Sequence, residues 1–152
     1  MGAKDEFDAL REEIEEDYND HIDLARIVLK NNRGDLEKLQ LNGKRKQAIS
    51  GWMAQAKTFY TNALASTTIK EALAKKGVTE PELLAVQAKL ADLENKETAK
   101  YQKRGQAQSA TAERGNAIDD LLEWYREFID TAKVTFRKTP QLLEKLGIVV
   151  KE

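Results

Sequence analysis

The stretch between the two prolines, Pro81 and Pro140, limits the fold more than any other feature. Apolar residues recur every three or four positions from Leu83 to Leu93 and again from Ile118 to Phe136, and positions 90, 97, 104, 111, 118, 125 and 132 stay in one frame across the polar stretch between them. This spacing is typical of a continuous packed helix. We therefore predict one very long helix from about Glu80 to Lys138. The alternative is a chain reversal near Gly105, which would give a closed four-helix up-down bundle.

The rest of the chain also favours helices. Of the 152 residues, 41% are hydrophobic and 34% are charged, with many of the Ala, Leu, Glu and Lys residues that form helices readily. The spacing predicts a first helix over about 4–30 and a second over about 44–76. Thr79 and Glu82 match a capping box at the start of the third. We expect a single all-α domain over 1–152, an elongated helical bundle.

The two ends of the sequence repeat each other. A shift of 107 positions places 21–41 over 128–148 without a gap. Ile22, Asp23 and Ala25 recur as Ile129, Asp130 and Ala132, and "LEKL" occurs in both copies. Agreement of this kind predicts an internal duplication, with repeat units of about 14–41 and 121–148.

Each repeat unit ends in a short leucine-rich segment, which we call the clip. We expect the clip to fold back over the end of the apolar stripe on the preceding helix and to close one end of the body. The first copy lacks the Pro and the Gly of the second, so its turn is expected to differ. The clip residues are Leu36, Leu39, Leu41, Leu143, Leu146 and Ile148.

Three segments, "YNDHIDLARIVLK", "ISGWMAQAKTFYTNAL" and "PQLLEKLGI", resemble a widespread family of uncharacterised bacterial all-helical proteins. The resemblance covers most of the chain, and the terminal "PQLLEKLGI" is its most distinctive part. It implies an all-α fold and no particular catalytic activity.

Composition argues against several functional classes. The net charge is −1, whereas a nucleic-acid-binding protein usually carries a strong basic excess. No cysteine is present, and no apolar run approaches the ~20 residues that span a bilayer. We expect a cytoplasmic protein that binds neither nucleic acid nor membrane and that uses no cofactor.

His21 is the only histidine of the chain. With Asp17 one turn before it, it has two of the side-chain types that bind metals, but di-iron bundles need two Glu-x-x-His motifs and further glutamates. Its counterpart in the repeat is Phe128, which favours a core histidine. No catalytic motif is recognisable, and we predict that the protein is not an enzyme.

The polar middle of the long helix carries Glu97, Arg104, Gln108 and Thr111 where the stripe should be apolar. These residues are either exposed or paired with a partner helix, where polar residues fix register. The first hypothesis is a non-enzymatic self-assembly protein that forms a homo-oligomer through this helix. The second is a four-helix-bundle binding module for a protein or a small ligand.

Overall fold

A computed structural model describes residues 2–149 and shows an all-α protein. The chain divides into two compact units, 1–101 and 102–152. The helices are α1 (Ala3–Val28), α2 (Arg33–Lys38), α3 (Ile49–Ala65), α4 (Thr67–Ala74), α5 (Glu80–Thr135) and α6 (Pro140–Lys145). Within the described part of the chain, no helix is long and apolar enough to cross a membrane.

The prediction of one very long helix is confirmed by α5, which has 56 residues. The alternative is wrong, because the helix continues through Gly105 and the chain does not reverse there. At its start, the backbone N–H of Thr79 donates to a carboxylate oxygen of Glu82 at 3.0 Å, as the predicted capping box requires. At its end, α5 stops at Thr135 rather than near Lys138, a turn before Pro140, which disfavours helical geometry in the residue before it.

The predicted second helix is wrong in its bounds. It begins at Ile49 rather than near Lys44, and Ser66 divides it into α3 and α4. Ser66 has an extended backbone, and its hydroxyl accepts a hydrogen bond from the backbone N–H of Ile69 at 3.4 Å. Serine is a favoured N-cap residue. Ser66 fits the spacing of one continuous helix in the sequence, but in the structure its side chain caps the start of α4.

The core of unit 1 forms where α1, α3, α4 and the first turns of α5 meet. Tyr18 of α1 lies at its centre, 2% exposed, with its ring 5.5 Å from that of Phe59 in an edge-to-face arrangement. Tyr60 and Trp52 complete an aromatic cluster around Tyr18. Edge-to-face pairs add to the stabilisation that burial of the rings provides.

Ion pairs join α5 to α1 on the surface of unit 1. The Lys89 ammonium lies 2.7 Å from a carboxylate oxygen of Glu13 and 3.1 Å from one of Asp17. The hydrogen bond to Glu13 has the largest effect on the pKa of Lys89, and together with the hydrogen bond to Asp17 it raises this pKa above its ordinary value. The acidic first half of α1 is therefore partly neutralised by a neighbouring helix.

Unit 2 contains the C-terminal part of α5 and the second clip. Its small core consists of Ala132, Leu143 and Ile148, against which Ile129 and Phe136 pack. The clip thus covers only the last turns of α5.

The two repeat units have the same local structure. When 107 is added to the residue numbers, the end of α1 at Val28 falls on the end of α5 at Thr135, and both bounds of α2 fall on those of α6. The turns agree as well. Leu41 N–H donates to the Leu36 carbonyl at 2.9 Å, and Ile148 N–H donates to the Leu143 carbonyl at 3.0 Å. Both clips therefore end in the same Schellman motif.

The Schellman motif requires a left-handed residue, and the two copies supply different ones. Gly147 has φ +77° in the second clip, and Gln40 has φ 57° in the first. A side chain in this region costs roughly 1–2 kcal/mol. The expected difference between the two turns is therefore one of strain rather than of geometry.

We predict that Gln40→Gly stabilises the protein by about 1 kcal/mol, because glycine adopts this backbone conformation without strain. Chemical denaturation measures the change in the free energy of unfolding. Gln40→Ala is the matched control, since it removes the exposed side chain but keeps the Cβ atom. Equal stabilities of the two variants would contradict the prediction.

Candidate functional site

The exposed apolar surface of unit 2 is the most unusual feature of the molecule. Five large side chains on one side of α5 remain about half exposed. We call this surface the open face, and its residues are Ile118 (51%), Leu121 (63%), Leu122 (45%), Tyr125 (52%) and Phe128 (42%). Single exposed apolar residues are ordinary, whereas a set of five on one side of a helix is a candidate interaction surface.

The duplication shows what such a face does when it is covered. In unit 1 the counterpart of Leu121 is Ile14, which is 0% exposed, and the counterpart of Tyr125 is Tyr18, which is 2% exposed. There, α3 and α4 supply the covering side chains. In unit 2 the described residues contain no helices equivalent to α3 and α4. The open face therefore has the pattern of a helix stripe without the partner that buries it.

The clips differ in the same way. In the first clip, Leu39 and Leu41 are buried and Leu36 is half-buried. In the second clip, Leu143 and Ile148 are buried, but Leu146, the counterpart of Leu39, remains 49% exposed. Sequence reasoning predicted all six as covering residues, and Leu146 is the most exposed of them. Leu146 stays open because unit 2 has no equivalent of α3.

Next to the open face, Trp124 stacks on Phe128, with ring centres 5.7 Å apart and planes at 17°. Trp124 is itself 61% exposed. Trp124, Tyr125 and Phe128 have the sequence spacing of a buried stripe, but all three are exposed. The signal that they are exposed lies in the length of α5, which extends well beyond the helices available to cover it.

The four polar residues predicted to set register lie outside the open face. Glu97 belongs to unit 1 and is half-buried, whereas Arg104, Gln108 and Thr111 are exposed on the first turns of unit 2. The Thr111 hydroxyl donates to the Ala107 carbonyl at 2.9 Å, which satisfies it within its own helix. The structure does not bring the four together into one cluster.

His21 lies in the core of unit 1 and is 8% exposed. Its Nδ1 atom lies 2.7 Å from the Tyr60 hydroxyl, and the two groups share a hydrogen bond. Burial lowers the pKa of His21 and raises that of Tyr60, so both groups are neutral at pH 7. Within residues 2–149, no three His, Asp or Glu side chains are arranged to hold a metal ion.

A cleft of about 390 Å³ lies between α3 and α5 in unit 1. Its wall is mainly apolar, with Met53 and Leu90 among the lining residues. The charged groups at its edge, Lys57 and Glu94, are 2.8 Å apart and neutralise each other. The cleft therefore lacks the convergent polar groups that orient a small-molecule ligand.

Comparison of the chain with family models, curated proteins and solved structures gave no match. The resemblance to an uncharacterised bacterial helical family stays a prediction.

We predict that the free energy of unfolding falls as the pH drops below 6.5, the ordinary pKa of histidine. The folded state lowers the pKa of His21, so the unfolded state binds its proton first and folding loses stability toward acid. The negative charges of Asp17, Glu82 and Asp20 raise the pKa of His21, but the effect of burial is larger. Denaturation at several pH values between about 5 and 8 measures the effect.

His21→Gln is the matched variant, because it keeps a polar group that reaches Tyr60 but does not titrate. The slope of stability against pH should flatten below 6.5 in this variant. An unchanged slope would mean that other groups cause the pH dependence.

Proposed function

We propose that this protein is a non-enzymatic helical protein whose function is self-association through α5, giving a homo-oligomer. The observation that carries the proposal is the contrast between the two repeat units. Ile14 and Tyr18 are buried by helices of their own chain, whereas Leu121 and Tyr125 are more than half exposed. A second copy of the chain provides an apolar surface that matches the open face.

Burial of the open face supplies the driving force. Full burial of one leucine-sized side chain contributes roughly 1.5–3 kcal/mol, and about half of this remains to be gained at a residue that is already half-buried. In a symmetric pair each open-face residue counts twice, and these contributions together offset the cost of losing free motion on association. The cost of leaving the face exposed is correspondingly large in a monomer.

The polar middle of α5 limits where association takes place. Arg104, Gln108 and Thr111 continue the frame of the open face, but they place charged and polar groups where an apolar contact would need a hydrophobic side chain. A polar residue at such a position lowers stability and selects one alignment. We therefore assign them the role of excluding registers that slide toward unit 1.

The binding-module hypothesis is the second candidate, but the bundle on which it depended needed a chain reversal near Gly105, where α5 is continuous. A different protein on the open face remains an outcome of the tests below. The proposal also includes a cytoplasmic location, in line with the absence of a membrane-spanning helix in residues 2–149.

We predict that the wild-type protein associates reversibly and that Leu122→Arg abolishes the association. The charged group would lie in the centre of the contact twice, which should raise the dissociation constant by at least about 100-fold. Sedimentation velocity over a range of concentrations measures the change. Leu122 is half exposed, so folding of the single chain should be unaffected.

Val134→Arg is the matched control, because Val134 is 64% exposed on the opposite side of the same helix. It introduces the same charge outside the open face and should leave association unchanged. A wild-type protein that stays monomeric at high concentration, or equal losses in the two variants, would contradict the proposed function.

A further inference from the structure

We propose that two copies pair antiparallel through residues 118–129 of α5, in a single register that places Asp119 of each copy beside Arg126 of the other. This inference depends on the proposed function, and it specifies which partner the open face takes and in which orientation. It is argued from the spacing of the apolar residues and from the charges that border them.

The open face has two central columns in the heptad frame. One contains positions 115, 122 and 129, and the other contains positions 118, 125 and 132. In an antiparallel pair, residues of one column face residues of the other column on the second helix. Possible registers therefore differ by whole heptads, and only a few of them need to be compared.

In the proposed register the large apolar residues face each other. Leu122 faces Tyr125 of the second copy. Ile118 faces the part of Ile129 of the second copy that the clip leaves uncovered, since Ile129 is only partly buried against the clip core. Each contact occurs twice because the pair is symmetric. Leu121 and Phe128, which border the columns on one side, also lie opposite each other. All the residues of the open face are covered by the same face of the second helix.

The clip sets the end of this contact. Ala132 is 5% exposed because the clip of its own chain already covers it. In the proposed register Ala132 faces Gly115 of the second copy. Gly115 lies in open space in the single chain, since a Cβ atom added there would have no neighbour within 4 Å. A residue without a side chain at this position leaves room for the clip at each end of the contact.

Charges on the other border select the same register. Asp119 and Arg126 are exposed and lie seven positions apart, beside the central columns. The proposed register brings each Asp119 beside an Arg126, which gives two equivalent ion pairs at the edge of an apolar contact. Charges at such positions choose the partner and its orientation.

Both neighbouring antiparallel registers bring like charges together. A shift of one heptad in one direction brings Asp119 beside Asp119 and leaves Tyr125 over Gly115. A shift in the other direction brings Arg126 beside Arg126. A larger shift toward unit 1 places Tyr125 against Gln108 and Ile129 against Arg104. Like charges or uncovered apolar groups therefore disfavour each alternative.

The parallel arrangement in register is the remaining competitor. It places Asp119 beside Arg114 of the second copy, but Arg126 then borders Leu121. Continued toward unit 1, it sets Arg104 against Arg104 in a central column. The antiparallel pair avoids this repulsion because the polar middles of the two copies extend in opposite directions from the contact.

The area involved fits a reversible dimer. The five open-face residues each expose on the order of 100 Å², so pairing removes roughly 1,000 Å² in total, near the lower limit for specific interfaces. We therefore expect a dissociation constant in roughly the micromolar range.

A charge exchange tests the register. Asp119→Arg and Arg126→Asp each replace two attractive contacts by two repulsive ones, and each should weaken dimerisation by about tenfold. The double variant D119R/R126D restores both pairs in the antiparallel register and should dimerise within about threefold of wild type. In the parallel arrangement, the guanidinium introduced at position 119 would still face Arg114, and dimerisation would stay weak.

Disulfide formation tests the orientation independently, because the chain has no cysteine of its own. Ile118→Cys and Ile129→Cys are prepared separately, one with a size tag, and oxidised alone and as a mixture. The antiparallel pair predicts a cross-linked heterodimer in the mixture, since a disulfide needs Cα atoms within about 7 Å. Each variant alone should remain largely uncrosslinked.

The outcomes separate this inference from the proposed function. Wild-type dimers without rescue by the double variant, or efficient cross-linking of I118C to itself, would overturn the antiparallel register and leave self-association standing. A wild-type protein that is monomeric at all accessible concentrations would overturn both. Rescue together with the cross-linked 118–129 heterodimer is the expected result.

Discussion

An apolar stripe on a helix must be covered, and the rest of this structure depends on how that requirement is met. In unit 1, α1 presents Ile14, Tyr18 and Ile22, and all three are almost completely buried. The covering helices come from the same chain, so unit 1 has a complete core. The same stripe is repeated in unit 2, where only its last turns are covered by a clip. Under the proposed function, a second copy of the chain buries it.

The buried stripe of α1 and the exposed stripe of α5 can be compared directly because the two repeat units have the same local structure. An exposed set of apolar residues on a lone helix would be open to many explanations. Here the local structure recurs with a constant shift of 107, down to the hydrogen bonds of the two clip turns. One copy shows the stripe in its buried state, and the other shows it without cover. The comparison thus comes from within one molecule rather than from a related protein.

Much of the fold follows from the sequence, because helix formation depends on local spacing. The frame of α5, the Thr79 cap and the repeated clips are all fixed by residues close together in the chain. The break at Ser66 was missed because a capping serine and a serine on an exposed helical face look alike in sequence. The similar turn at Gln40 was missed because glycine usually occupies that position.

The candidate site was harder to predict. The sequence drew attention to the polar middle of α5, but Arg104 and Thr111 are exposed and lie outside the open face. The informative residues were Leu121 and Tyr125, whose spacing resembles that of any buried stripe. Burial depends on which other elements reach the helix, and that is a property of the tertiary structure.

Hydrogen exchange measured at low and at high protein concentration shows whether residues 118–129 form a contact between two copies of the chain. Amides in a solvent-exposed single helix exchange readily, whereas pairing of helices protects them. If two copies pair through residues 118–129, protection of these residues rises with protein concentration while protection of unit 1 stays constant. Protection that is independent of concentration over 118–129, or that rises equally throughout the chain, would contradict it.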